Sequence, residues 1–137
     1  MQLTRSRLSR PVVLGAGVAA VLALATAPAS AAPAVSVTPA AGLSDGQSVT
    51  VDGSGYTAGS QVAVAECVAG TRCAAAYVVA TVDANGAFQV TPTVQKAFQA
   101  TDYGTGAVSW ADCTVVQCQV VAWNDTTGQV GADISFG

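Results

Sequence analysis

The sequence predicts an all-β chain folded as an antiparallel sandwich, and three features carry that prediction. Short runs rich in Val, Thr and Ala alternate apolar with polar residues, the period-two pattern of half-buried strands. Gly, Asn, Asp and Pro punctuate these runs at intervals of roughly ten residues, the spacing expected of sandwiches. After residue 31 no segment carries a convincing helical period. Seven or eight short strands of this kind point to an immunoglobulin-like sandwich, although the long inter-sheet cysteine bridge of antibody domains has no counterpart here.

Taken in order, Ala34–Thr38 alternates as a first strand and is stopped by Pro39. Leu43-Ser44-Asp45-Gly46 reads as a turn before a second strand, Gln47–Asp52. Gly53-Ser54-Gly55 and Thr57-Ala58-Gly59 lead to a third, Gln61–Cys67, and Ala76–Val82 is a fourth. Asp83-Ala84-Asn85-Gly86 places Asn-Gly at a hairpin tip, from which Ala87–Val94 returns. Gln95–Gly106 is expected to be a long connection. Two strands joined by the loop Cys113–Cys118 follow, then a loop over Asn124–Gly131 and a closing strand, Ala132–Phe136.

Residues 1–31 have the layout of a secretory signal peptide. Arg5, Arg7 and Arg10 precede an apolar stretch from Pro11 to Ala27, and Ala29-Ser30-Ala31 offers small residues for cleavage. The apolar core is short for a span of about 20 residues, so a retained membrane anchor is the weaker reading. The expected mature protein is secreted, spans residues 32–137 as one domain and has no membrane segment. It keeps only two cations, Arg72 and Lys96, against all eight acids, a net charge of −6. Such a surface repels phosphate backbones and argues against direct nucleic-acid binding.

Export bears on the four cysteines. In a small extracellular domain they predict two disulfides, and of three possible pairings the local ones, Cys67–Cys73 and Cys113–Cys118, close the shortest loops. Each contributes roughly 2 kcal/mol through chain entropy, so these clips shape loops more than they secure the whole fold. A zinc site would call for thiolates at CxxC-like spacing or histidines, and the chain has no histidine. No metal is expected.

The same lack of histidine weighs against an enzyme, since no base is poised near neutral pH and paired cysteines are not nucleophiles. Glu66, Asp102 and Asp112 would serve as a carboxylate pair only if the fold brought two together; as strand-end acids they are ordinary solvated groups. Binding is easier to support. The chain is rich in Ala, Val, Gly, Ser and Thr, and a sheet face lined by small residues leaves room for a cleft. Tyr77, Tyr103 and Trp123 could supply flat faces for a planar ligand, or simply pack, while Phe88 and Phe136 are expected in the core.

The order of several motifs then resembles the neocarzinostatin family. They are Val37-Thr38-Pro39-Ala40-Ala41-Gly42-Leu43-Ser44-Asp45-Gly46, Val82-Asp83-Ala84-Asn85-Gly86, Asp112-Cys113 with Cys118-Gln119, and the ending Ile134-Ser135-Phe136. The likeness runs through residues 32–137. Members are secreted actinomycete apoproteins of enediyne antibiotic chromoproteins. The resemblance implies a seven-stranded immunoglobulin-like sandwich with a ligand cleft, acting as a monomer. Its cofactor would be a non-covalently held enediyne chromophore, which the apoprotein shields, carries and releases. The freed chromophore would bind DNA, rearrange to a diradical and abstract sugar hydrogens. The resemblance assigns the cleft to Tyr77, Tyr103, Gln119 and Trp123 with both disulfides, Cys67–Cys73 and Cys113–Cys118. Three positions depart from the family's namesake: Glu66 replaces a glutamine, the Cys67–Cys73 loop is shorter and lacks a tryptophan, and Trp123 replaces a serine. An indole at 123 would narrow the pocket and change what it holds, which keeps open a secreted immunoglobulin-like binding or structural module without a chromophore.

Overall fold

The alternating runs pair into a three-stranded and a six-stranded sheet packed on one main core, with a further two-stranded ladder. The computed structural model describes residues 31–69 and 71–137, so the expected signal peptide lies, apart from Ala31, outside the described residues. Strand β1 (Ala34–Thr38) pairs with β3 (Thr50–Ser54), which pairs with β6 (Phe88–Val90). The two-residue strands β2 (Gln47–Ser48) and β7 (Thr93–Val94) pair with each other on the same chain segments as β3 and β6. The larger sheet has six strands, in the order β11 (Gly128–Ile134), β10 (Cys118–Asn124), β4 (Gln61–Val68), β5 (Arg72–Thr81), β8 (Ala97–Asp102) and β9 (Val108–Asp112). All these pairings are antiparallel, and a parallel bridge between Leu43 and Phe136 ties the C-terminus to the first loop.

Alternation decides which side chains fill the sandwich. Val37, Val51 and Phe88 of the smaller sheet meet Val62 and Val64 of β4, Val120 and Ala122 of β10 and Ile134 of β11 in one buried cluster. Each fully buried aliphatic side chain stabilises the fold by about 1.5–3 kcal/mol relative to exposure. Tyr56 joins this core edge-on to Phe88, with ring centroids 5.3 Å apart, and Phe136 packs half-buried against it. The other face of the six-stranded sheet buries only a small separate cluster, Cys67, Cys73 and Val121, with Ala65 against it.

The all-β sandwich expected from the sequence is present, but the expected strands Gln47–Asp52 and Ala87–Val94 each divide in two, as β2 with β3 and β6 with β7, and the strand expected from Ala76 already begins at Arg72. Gln95–Gly106 is not merely a connection, because Ala97–Asp102 forms β8 with Phe98 and Ala100 turned inward. Small alanines in the alternation made that strand faint. The loop expected over Asn124–Gly131 shrinks to a short turn, and β11 begins at Gly128. The Asp83–Gly86 turn forms as expected, its Asp83 Oδ1 accepting the Asn85 and Ala87 N–H groups at 2.8 and 3.0 Å. Yet β5 and β6, on either side of it, belong to different sheets, so the turn carries the chain across the sandwich.

One glycine is required by this packing. A Cβ on Gly53 would lie 2.0 Å from the Phe88 ring, so β3 can approach the ring only without a side chain. Gly53→Ala is therefore expected to destabilise the protein by about 2 kcal/mol or more through overpacking, read as a lower urea midpoint at unchanged m. A midpoint equal to that of the native chain would refute this account of the core.

Candidate functional site

The outer face of the six-stranded sheet holds a cleft of about 400 Å³. Its floor follows from β4, where Val62, Val64 and Glu66 point into the core while Ala63, Ala65 and Cys67 point out. The ladder sets their neighbours on the same face. Ala63 lies opposite Trp123, Ala65 opposite Val121 on one side and Tyr77 on the other, and Cys67 opposite Cys73. Alanine methyls leave a depression between larger side chains on the flanking strands. Tyr77 from β5, Trp123 from β10, Tyr103 from the β8–β9 turn and Gln129 from β11 form the rim. The lining is predominantly apolar, with phenol and amide groups at its edge, the usual make-up of a small-molecule site.

Local hydrogen bonds hold the rim. Asp102 Oδ1 accepts the N–H groups of Gly104 and Thr105 at 2.8 and 3.3 Å, and the Tyr103 N–H donates to the Thr71 carbonyl at 3.2 Å. The turn bearing Tyr103 is thus fastened to the hairpin closed by Cys67–Cys73. Next to Trp123, buried Asn124 donates to Ser60 Oγ and the Gln61 carbonyl and accepts from the Thr126 and Thr127 N–H groups, pinning the end of β10. Tyr77, Tyr103 and Trp123 remain 62, 64 and 47 % exposed, so the structure presents their faces rather than packing them away.

Both local disulfides are formed, Cys67–Cys73 and Cys113–Cys118, but they lie on opposite faces of the sheet. Cys67 and Cys73 line the cleft. Cys118 is fully buried in the sandwich core, with Cys113 packed against it, so this pair is not part of the cleft wall. Gln119 does share the cleft face, opposite Cys67, but its amide turns toward β11 and donates to Asp133 Oδ1 at 2.7 Å instead of lining the cavity. Gln129 takes a rim position that sequence reasoning missed, because the glycines at 128 and 131 made its strand read as loop. The alanine floor was visible only as a compositional bias.

The acids stay apart in role. Asp102 and Asp112 cap turns, the latter accepting from both the hydroxyl and the N–H of Thr114, which holds its carboxyl below the usual range. Glu66 is different. It faces the core, 6 % exposed, with Oε2 accepting the Gln95 N–H at 2.7 Å and Oε1 3.5 Å from Cys113 Sγ. Burial raises its pKa from 4.5 to about 7; the Gln95 N–H opposes the rise and the charge of Asp45 adds to it. The neighbouring sulfurs, being bonded to each other, offer no thiolate to a metal.

A family model described as the neocarzinostatin family matches residues 35–136. This chain belongs to that family. It is 36 % identical over 135 residues to the antitumor antibiotic C-1027 apoprotein of Streptomyces globisporus, covering 96 % of this chain and 94 % of the relative. It is equally identical over 129 residues to macromomycin of Streptomyces macromomyceticus, covering 88 % of each. The solved structure of macromomycin superposes with a TM-score of 0.71 at 34 % identity, over 77 % of this chain and all of the other. The solution conformation of apokedarcidin superposes with a TM-score of 0.61 at 30 % identity, over 78 % of this chain and all of that one.

Two outcomes test this geometry. Trp123→Ser removes a half-exposed rim residue and should cost less than about 1 kcal/mol in chemical denaturation, against the 3–5 kcal/mol typical of a core tryptophan. The second concerns Glu66. The unfolded chain loses its Glu66 proton near 4.5 and the folded chain near 7. Between those values the folded state binds more protons, so this group's stabilisation falls as pH rises and levels off above 7. Glu66→Gln should abolish that slope and gain at most about 3 kcal/mol over the native chain at pH 8. Parallel stability profiles for the two proteins would contradict the assignment.

Proposed function

We propose that this protein is a secreted, monomeric carrier apoprotein whose cleft binds, shields and releases an enediyne chromophore. The observation that carries the reading is the outward apolar cleft walled by Tyr77, Tyr103 and Trp123 over an alanine floor. A flat unsaturated ligand matches such a surface. Ring-on-ring contacts add roughly 0.5–1.5 kcal/mol each beyond the area they bury, and the phenol hydroxyls and the Gln129 amide give orientation. Seated there, the ligand loses contact with water and dissolved thiols on the sheet side, which is protection. Family relatives support the reading, one of them being named as an antibiotic apoprotein.

The protein's part ends at binding and release. The cleft offers no histidine and no free thiol, so its groups hold and orient the ligand rather than transform it. The cleavage of DNA belongs to the chromophore. With a mature net charge of −6 and Arg72 and Lys96 as its cations, the apoprotein repels the duplex, and its ligand must leave to reach it. The non-covalent, open cleft permits that departure.

Protein purified from the strain that encodes it and extracted with organic solvent should release a compound absorbing in the near ultraviolet. A bare polypeptide would favour a family member that carries no chromophore, a reading for which the Trp123 side chain in the cleft speaks. The extracted apoprotein should not retard duplex DNA at physiological salt. Salt-sensitive retardation by ligand-free protein would refute the electrostatic argument.

A further inference from the structure

Eight large apolar side chains are exposed among the described residues, and the cleft does not account for all of them. Val115 and Val116 lie at the tip of the second disulfide loop. Two others, Val108 and Trp110, lie on β9, one of the two edge strands of the six-stranded sheet. Register puts both on the cleft side. Cys73, a cleft residue, lies opposite Thr101, and Thr101 lies opposite Val108. Opposed residues of an antiparallel ladder point to one face, and Trp110, two residues on, points with them. At 71 % exposure Trp110 is the most exposed aromatic side chain among the described residues. It stands opposite Gln99, whose side chain shares that face.

We propose that Val108 and Trp110 form a second platform of the same site, receiving a flat apolar appendage of the ligand whose main ring system occupies the cleft. This rests on the cleft being a small-molecule site. Three observations favour that occupant. The platform is continuous with the cleft floor through the Cys73, Thr101 and Val108 row, about 10 Å from end to end at two strand spacings. The cleft, at about 400 Å³, lies toward the small end of ligand sites, so a bulkier ligand must rest part of itself outside. Gln99 and Thr101 between the two apolar areas offer amide and hydroxyl groups to a polar linkage. On this reading the cleft provides shielding, and Trp110 discriminates among ligands by what they carry beyond the shielded part.

The test uses two neutral probes: a naphthyl monomer, and a bis-naphthyl compound whose rings are joined by a flexible polyether spanning about 15 Å, the distance set by three strand spacings from β4 to β9. Calorimetric titration of the native apoprotein should show the bis compound binding at least tenfold tighter than the monomer, as two linked contacts do. In Trp110→Ala the two affinities should converge, and in Trp110→Phe most of the advantage should return. A tenfold advantage that survives Trp110→Ala, or that is missing in the native protein while the monomer still binds, overturns the platform and leaves the cleft reading standing. If neither probe binds, the cleft reading fails and the platform fails with it. A native dimer in sedimentation that Trp110→Ala dissolves would show instead that this face joins two copies of the chain.

Discussion

The alternation along β4 is the constraint on which the molecule depends. One strand must supply core on one side and cleft on the other, and it does so by chemistry of opposite size. Val62 and Val64 are large enough to close the sandwich, whereas Ala63 and Ala65 are small enough to leave a hollow between Tyr77 and Trp123. A slip of one residue would exchange the two sets, emptying the core and filling the cleft. β4 is central in its sheet, paired on both sides, so its register is set by β10 and β5 together. Cleft and core are therefore coupled in a single ladder.

The two disulfides divide along the same plane. Cys67–Cys73 clips the β4–β5 hairpin on the cleft side, where the Tyr103 N–H bond to the Thr71 carbonyl ties the Tyr103 turn to it. Cys113–Cys118 clips the β9–β10 connection on the core side and lies against Glu66. A carboxyl held at 6 % exposure beside a disulfide, with one N–H donor, is costly when ionised. Its tether to Gln95 nevertheless joins the central strand to the segment between the small and large sheets. Relatives at 36 % identity match most of the chain's length, while rim residues and buried polar groups are where chains of one fold can differ in what they hold.

Electrostatics and hydrophobicity are also segregated. The acids Asp102, Asp112 and Asp83 occupy turn-capping positions, their charges satisfied by backbone N–H groups, and none lines the cleft. Exposed apolar surface gathers instead on the outer sheet face, an arrangement typical of a site for an uncharged partner. Charge is thereby carried by the turns, and exposed apolar surface by one face.

Local pattern alone established the sandwich class, the strands β1 and β4 and the Asp83–Gly86 turn, and favoured the two local cysteine pairs, because alternation, turn chemistry and short loop closure are properties of neighbouring residues. The order of motifs likewise established family membership. It could not show which sheet each strand joins, since Asp83–Gly86 looks like any hairpin tip whether its strands pair or part. β8 and β11 were faint because alanine and glycine carry little alternation signal, and with them went Gln129. The faces were hidden for the same reason. Cys113–Cys118 and Gln119 adjoin in sequence to residues that line the cleft, yet alternation sends Cys118 into the core, and the hydrogen bond to Asp133 turns the Gln119 amide aside. Composition announced that small residues could leave a hollow. Only pairing across three strands decided that Ala63, Ala65, Val121, Tyr77 and Trp123 would surround it, because a cleft is defined by residues that are distant along the chain and adjacent across the ladder.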